Sequence, residues 1–423
     1  MKRRMRDASK DVFRSMEVRN FRLFFGGQLI SQIGNWLTFV AQALLVLHLT
    51  HNNGVAVGLL TACQFFPVLV LGAWAGLVAD RRDKRRLLLV VQTFAMLQSF
   101  ALATMIFTGK ASVPAIFVLA ALGGVGNAFD NPARRAFVVE MVPEANVQNA
   151  VSLNTALMTG SRIFGPALAG ILIVTVGYGW CFAIDGISYL AVLFGLWRMN
   201  PAELRPSPHA THAKGQVRAG IRYARSVPEL WVPLTMMALV GMFAFNFSVV
   251  MPLFAKRTLH GSDTTFTILL SVVSVGSLIG ALITARRKAT SVRDVVVGAL
   301  LFGVSLFLLA ASPTLATSFP LAVFMGLSSI VFMTSSTAIV QMRAAPEMRG
   351  RVLALQAIVF LGTTPIGGPV VGAVCQAFGA RMGFVVGGAS CLAAAAWGWW
   401  AALRTDAEPG QHDQPATQVP ATV

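Results

Sequence analysis

Gly76-Leu77-Val78-Ala79-Asp80-Arg81-Arg82-Asp83-Lys84-Arg85-Arg86 places seven charges within residues 80–86, between the runs 23–79 and 87–109, which contain none. Hydrocarbon does not accept a charge cluster of that density, so the segment reads as a short turn at a membrane surface between two apolar spans. The pattern recurs: residues 230–255, 264–285, 352–380 and 382–403 are also free of charge. Each is long enough to cross about 30 Å of hydrocarbon as a helix. The runs 23–79 and 295–342 are too long for one span, and each carries a break near its middle, Thr50-His51-Asn52-Asn53-Gly54 and Ser312-Pro313-Thr314, so each reads as a helical hairpin.

Backbone polar groups in lipid must be satisfied internally, which leaves helices or a closed barrel. Barrel strands alternate polar and apolar residues; these runs do not. The expectation is an all-α integral membrane fold of 12 spans, near 22–48, 55–79, 87–108, 113–131, 148–175, 179–198, 230–254, 265–286, 294–311, 316–341, 352–376 and 382–403. Composition agrees: 55% hydrophobic, 12% charged, mean hydropathy +0.67, where a soluble domain carries about twice that charge. Cys63, Cys181, Cys375 and Cys391 are scattered through the apolar runs without metal-ligand spacing and read as small buried residues. The basic first twenty residues lack the apolar core of a cleavable signal peptide.

The net charge of +17 raises the question of nucleic acid. Its placement answers it. When loops are assigned alternately to two sides, 29 of the 34 Lys and Arg fall on the side of the N-terminus. The other side holds Lys110, Lys256, Arg257 and Arg381, and Arg162 falls within a span. This is the positive-inside bias. It predicts a multi-pass protein of a bacterial cytoplasmic membrane with both termini in the cytoplasm, its basic surface facing anionic lipid rather than nucleic acid.

The chain divides into a basic arm (1–21), a first six-helix bundle (22–198), a cytoplasmic central loop (199–228), a second six-helix bundle (229–404) and a polar, Pro-rich tail (405–423) expected to be disordered. In the loop, Val217, Ile221 and Ala224 form one stripe of an amphipathic helix, and Arg218, Arg222 and Arg225 the next, which suits the membrane interface. The bundles look duplicated. Pro166 and Pro369 lie 203 positions apart, as do Pro143 and Pro346, and Gly76 with its basic turn matches Gly280 with Arg286-Arg287-Lys288 at 204. Two pseudo-symmetric halves with a substrate site between them are one plan for a secondary transporter.

These residues resemble the major facilitator superfamily. Gly76, Asp80, Arg81, Lys84 and Arg85 fit its signature between spans 2 and 3, although Asp83 replaces the second glycine. Asn131-Pro132-Ala133-Arg134-Arg135, Val142-Pro143, Asn149-Ala150, Leu153-Asn154, Arg162 and Gly165-Pro166-Ala167-Leu168-Ala169-Gly170 are similar to the branch that holds the enterobactin exporter and related drug-efflux proteins. The resemblance covers nearly the whole chain. It implies that the turn latches an outward-facing state, with its Arg and Lys meeting Asp130, and that Arg162, Gly165, Pro166 and Gly170 form the exporter motif of span 5. Physically, Gly76 permits close helix approach, Asp80 is placed to accept hydrogen bonds from a neighbouring helix N-terminus, and Pro166 kinks its helix beside the small face of Ser161, Gly165, Ala169 and Gly170. A plain solvated turn and an ordinary kinked helix are the blander alternatives.

Ionisable residues within spans are functional candidates: Asp130, Arg162 and Asp185. Arg162 either snorkels or pairs with Asp130 or Glu140; Asp185 either carries a proton, meets a cationic substrate, or is a solvated helix-end carboxylate. Gln28, Gln32, Asn35, Phe39 and Gln42 recur on one face of span 1, a stripe that either lines a water-filled cavity or glues helices together, with Asn246 its nearest counterpart in span 7. Span 4, read from Phe117 to Phe129, has no central Arg, although proton-linked exporters of the superfamily often carry one. The expectation is a monomeric secondary transporter, proton-driven, exporting small amphipathic compounds such as drugs or siderophores by alternating access, with no metal or cofactor. An importer of the same fold and a non-transporting sensor are the rivals. An enzyme would need a His, Cys or carboxylate cluster, and the six His show none.

Overall fold

The computed structural model describes residues 13–205, 216–286 and 290–406, and those residues form helices joined by short turns, with no strand among them. The first half holds α1 (Arg19–Leu49), α2 (Gly54–Arg81), α3 (Lys84–Phe107), α4 (Val113–Glu140), α5 (Val147–Val176) and α6 (Tyr178–Arg198). A short helix α7 (Gln216–Ser226) follows. The second half holds α8 (Pro228–Phe243) and α9 (Phe247–Leu253), which together with a π turn make span 7, then α10 (Asp263–Ala285), α11 (Val292–Ala311), α12 (Leu315–Arg343), α13 (Pro346–Phe378) and α14 (Ala380–Asp406). Among the described residues, twelve segments are long and apolar enough to cross a membrane.

Local chemistry sets the helix ends. Asn53 accepts hydrogen bonds from the Val55 and Ala56 amides and starts α2. Ser262, Ser291 and Thr314 open α10, α11 and α12 through reciprocal capping boxes. Asp83 accepts from the Arg86 amide at φ −57°. A glycine is therefore not needed where the signature has one: the substituted aspartate caps α3.

The packing repeats. α1 lies on α6, α2 on α4 and α3 on α6; in the second half α8 lies on α14, α10 on α12 and α11 on α14. Gly177 (φ 83°) ends α5 and Gly379 (φ 89°) ends α13, 202 positions apart, both in the left-handed region that excludes most side chains. The halves meet where α2 packs on α13 and α5 on α10, and these two contacts exchange under the same repeat. Exposed residues along the spans are large and apolar, among them Val90, Phe194 and Trp197, as a lipid-facing surface requires.

Several boundaries differ from the sequence reading. α4 runs through Pro132 to Glu140 instead of stopping at 131, so Arg134 and Arg135 belong to the helix and not to a loop. Proline removes one amide donor, but the apolar residues Ala133, Phe137 and Val138 continue the helix and are buried. Span 7 is interrupted at residues 244–246, where the Asn246 side chain donates to the Met242 carbonyl at 2.6 Å. In α7, Ala224 is buried and Arg218, Arg222 and Arg225 are exposed; the Val217 side chain, residues 206–215, the Arg287-Lys288 half of the third repeat anchor and the tail beyond 406 lie outside the described residues.

Candidate transport site

The basic turn is Arg82-Asp83, two residues between α2 and α3. Two of its cations are engaged elsewhere in the first half. Lys84 Nζ lies 2.7 Å from Glu140 Oε1, both side chains nearly buried. Arg85 donates to the Leu196 and Trp197 carbonyls at 2.7 and 3.1 Å, satisfying orphan acceptors at the end of α6. Asp80 is half-buried and Arg81 exposed at the end of α2. The expected partnership of the turn with Asp130 does not form in this state. Asp130 instead pairs with Arg134 one turn on in α4 and accepts from Gln92 Nε2 on α3 at 2.7 Å. The i, i+4 spacing explains why: a cation already on the same helix face needs no rearrangement to reach it.

Arg134 is the residue the sequence reading missed. It is 7% exposed and also faces Gln28 Oε1 on α1 at 3.4 Å and Met158 Sδ on α5 at 3.7 Å. The signal was present in Asp130 and Arg134 at helical spacing, but the helix was ended one residue before Pro132.

The polar stripe of α1 divides accordingly. Gln28, Gln32 and Gln42 are buried and Asn35 and Phe39 half-buried. Gln32 donates to Gln28 at 3.3 Å, and Gln64 on α2 to Gln42 at 2.7 Å. Gln28 and Gln42 therefore tie α1 to α4 and α2 within the first half, since buried polar groups require partners. Asn246 is 2% exposed at the break in span 7 and faces Gly367 of α13. Asp185 is not a solvated end group. It is 1% exposed, and its Oδ2 accepts from Thr38 Oγ1 at 2.6 Å and Ser99 Oγ at 2.8 Å. Arg162 is exposed on α5, and the carboxylates the sequence offered it are held by Arg134 and Lys84.

The two seam helices α2 and α5 are tight at one end. A Cβ at Gly58 would stand 2.8 Å from Pro369 Cα, and one at Gly170 would stand 2.9 Å from Thr267 Cβ. Gly165 packs on Trp36 of α1. Two hydrogen bonds join the halves there: Gly54 N–H to Gln376 Oε1 at 2.9 Å and Tyr178 Oη to Asp263 Oδ2 at 2.5 Å. Lys256 braces Asp263 at 2.5 Å and Arg257 braces Gln376 at 3.1 Å. Toward the other end, Gly72, Gly76 and Gly160 on these helices, and Gly350 on α13, have nothing within 4 Å of where a Cβ would stand.

The arrangement is that of a two-bundle membrane carrier. The staphyloferrin A transporter of Staphylococcus aureus is 24% identical over 88% of this chain and 93% of its own length. Macrolide efflux protein A of Streptococcus pyogenes is 23% identical over 82% and 87%. Among solved structures, an inward-facing, occupied bacterial homologue of the human lysosomal transporter Spinster superposes with a TM-score of 0.72 over 92% of this chain and 97% of that one at 16% identity, a likeness of fold. The transmembrane secretion effector family matches residues 12–421, and the chain belongs to that family, among the major facilitator transporters and not the enzymes.

Proposed function

We propose that the protein is a proton-driven exporter of small amphipathic compounds, a drug or a siderophore, acting by alternating access across a bacterial cytoplasmic membrane with both termini in the cytoplasm. The observation that carries the mechanism is the asymmetry of the seam: α2 touches α13 at Gly54 and Gly58 and faces open space at Gly72 and Gly76. Rocking the halves about the middle of that contact would open one end as it closes the other. The tight end lies opposite the basic loops, so on the positive-inside reading this state is open to the cytoplasm, where an exporter loads. In the opposite state Asp80 and Arg81 meet the second half, while Lys84 and Arg85 keep their partners in the first.

Cargo of this class needs an adaptable apolar wall. Phe245, Phe247 and Phe360 are half-buried around the break in span 7, with ring centroids 5.1 and 5.7 Å from Phe245, and Trp36 and Phe39 stack edge-on at 5.5 Å on α1. A siderophore transporter and a macrolide efflux protein among the relatives support export of such compounds. The test is a panel of macrolides, siderophores and cationic dyes in everted vesicles with an imposed pH gradient. Gradient-dependent uptake that an uncoupler abolishes is the expected result. Movement of none of them, or movement indifferent to the uncoupler, overturns the reading.

A further inference from the structure

Asp185 is the one deeply buried carboxylate in the described residues to which the structure gives no cation. Lys84 answers Glu140 and Arg134 answers Asp130. Around Asp185 the donors are hydroxyls: Thr38 from α1 and Ser99 from α3 both bond Oδ2, while the Ser188 hydroxyl donates to the Asp185 carbonyl at 2.7 Å. Oδ1 is buried without a hydrogen-bond partner, facing α1 at Gly34, where a Cβ would stand 2.6 Å from it. Two buried titratable side chains lie one turn away on its own helix, Cys181 before it and Tyr189 after it. The flanking residues of α1 and α3, Thr38 and Ser99, carry no charge.

A carboxylate with one oxygen doubly hydrogen-bonded and the other dry is half-satisfied, and a buried unpaired charge is costly. One proton on Oδ1 removes the charge. A metal cation held through oxygen needs several ligands, and Oδ1 is buried with no partner beside it. Asp185 lies seven residues into α6 from Tyr178, about 10 Å from the tight end at 1.5 Å per residue, so a proton reaching it enters from the side where cargo leaves.

We propose that Asp185 is the binding site of the coupling proton, set inside the first half and apart from the seam, and that α1 transmits its state to the seam. This rests on the proton-driven reading above and names the residue that executes it. Gly34 and Thr38 hold Asp185. Trp36 between them packs on Gly165 of α5. α5 in turn packs through Gly170 on Thr267 of α10 in the second half. When the proton binds, the hold of the charge on the Thr38 hydroxyl weakens and α1 shifts against α5. When it leaves, the carboxylate draws the two hydroxyls back. The proton is taken from one aqueous side and released to the other, and no covalent bond other than O–H is made or broken.

The test needs no cargo. Infrared difference spectra of the purified protein between acidic and neutral buffer should show a carboxylic-acid C=O band that is lost in Asp185→Asn and displaced in frequency in Thr38→Val, a milder change if the first variant folds poorly. A band unchanged in both variants overturns the proposal. So does a band that sodium removes at constant pH. Spin labels at residues 51 and 378, on opposite halves at the tight end, should report a distance change over the same pH step that Asp185→Asn abolishes; a change that survives in that variant removes the link through α1. Because these readouts use no cargo, vesicles that move nothing would sink the exporter reading and leave the proton site standing.

Discussion

The two six-helix halves share a scaffold and differ in what they bury. Helix order, packing partners, the glycine that ends span 5 or 11 and the proline within each of those spans recur. Among the described residues the buried charges do not. Lys84, Asp130, Arg134, Glu140 and Asp185 all belong to the first half, whereas the second buries serines, Gln356 and Asn246. At the offset of the interhelical glycines, Asp185 falls on Gly387, where a Cβ would stand 3.2 Å from Ala244 Cα, just past the end of α8. Where the first half sets an acid against a glycine of span 1, the second sets a glycine against the backbone of span 7. The two halves share a scaffold and a seam; the first carries the ionic chemistry, and the second a broken helix lined by aromatic rings. Buried charge is expensive in lipid, and here it lies within the packing of one half.

The comparison is broken most forcefully at Arg134. Arg134→Ala leaves Asp130 buried and unpaired, a loss of about 3–5 kcal/mol, read as a large drop in melting temperature in detergent. The serine pair of the second half is the control: Ser305 and Ser328 are 3.1 Å apart, but each also bonds a backbone carbonyl, so Ser305→Ala should lose only about 0.5–1.5 kcal/mol. Equal losses would show that the ionic content of the first half has no special weight. The double variant Asp130→Asn/Arg134→Gln removes both charges together and should recover part of the stability lost in Arg134→Ala.

Much of the fold was legible because lipid imposes simple rules. Charge-free runs of sufficient length, a basic turn between two of them and prolines 203 positions apart led to twelve spans in two matched halves. The site was less legible, for reasons particular residues show. Pro132 looked like an end to span 4, yet buried residues on both sides carry the helix through it, and with it Arg134. The glutamine stripe of span 1 had the spacing of a cavity lining; what decides its role is the guanidinium opposite Gln28, and periodicity within one helix carries no information about the facing one. Asp185 could be placed on span 6 but not between Thr38 and Ser99, since pairings 147 and 86 residues apart belong to tertiary structure.

A second break compares the two ends of α2. Gly58→Ala drives a methyl to about 2.5 Å from the Gly368 carbonyl oxygen, an overpacking of about 1–3 kcal/mol. That contact exists in the state with this end closed, so the variant should shift the population toward the opposite state, seen as increased labelling of cysteines introduced beside Gly372. Gly76→Ala meets nothing in this state and crowds the end that closes in the opposite one, so it should not raise the labelling; an equal rise from both would mean that the seam is not the element that tightens. Asp80→Asn, at the same end as Gly76, should lower the efflux rate several-fold at equal membrane level if, as proposed above, its charge helps to close that end. Unchanged efflux would remove the turn from the gate.

The smallest expected effect is the sharpest test of where the halves are latched. Tyr178 and Asp263 form one hydrogen bond across the seam, with Lys256 holding the carboxylate in place. Tyr178→Phe deletes the hydroxyl and keeps the ring, which lies 6.4 Å from His48. The carboxylate keeps its lysine, so no charge is stranded and the loss should stay near about 1 kcal/mol. That is enough to change a two-state ratio about fivefold, while the melting temperature hardly moves. Asp263→Asn removes the same bond's charge and also frees Lys256, so it should shift the ratio further in the same direction. If Tyr178→Phe instead lowered stability and left the ratio alone, the hydroxyl would be a support of the first half and not a clasp between two bodies.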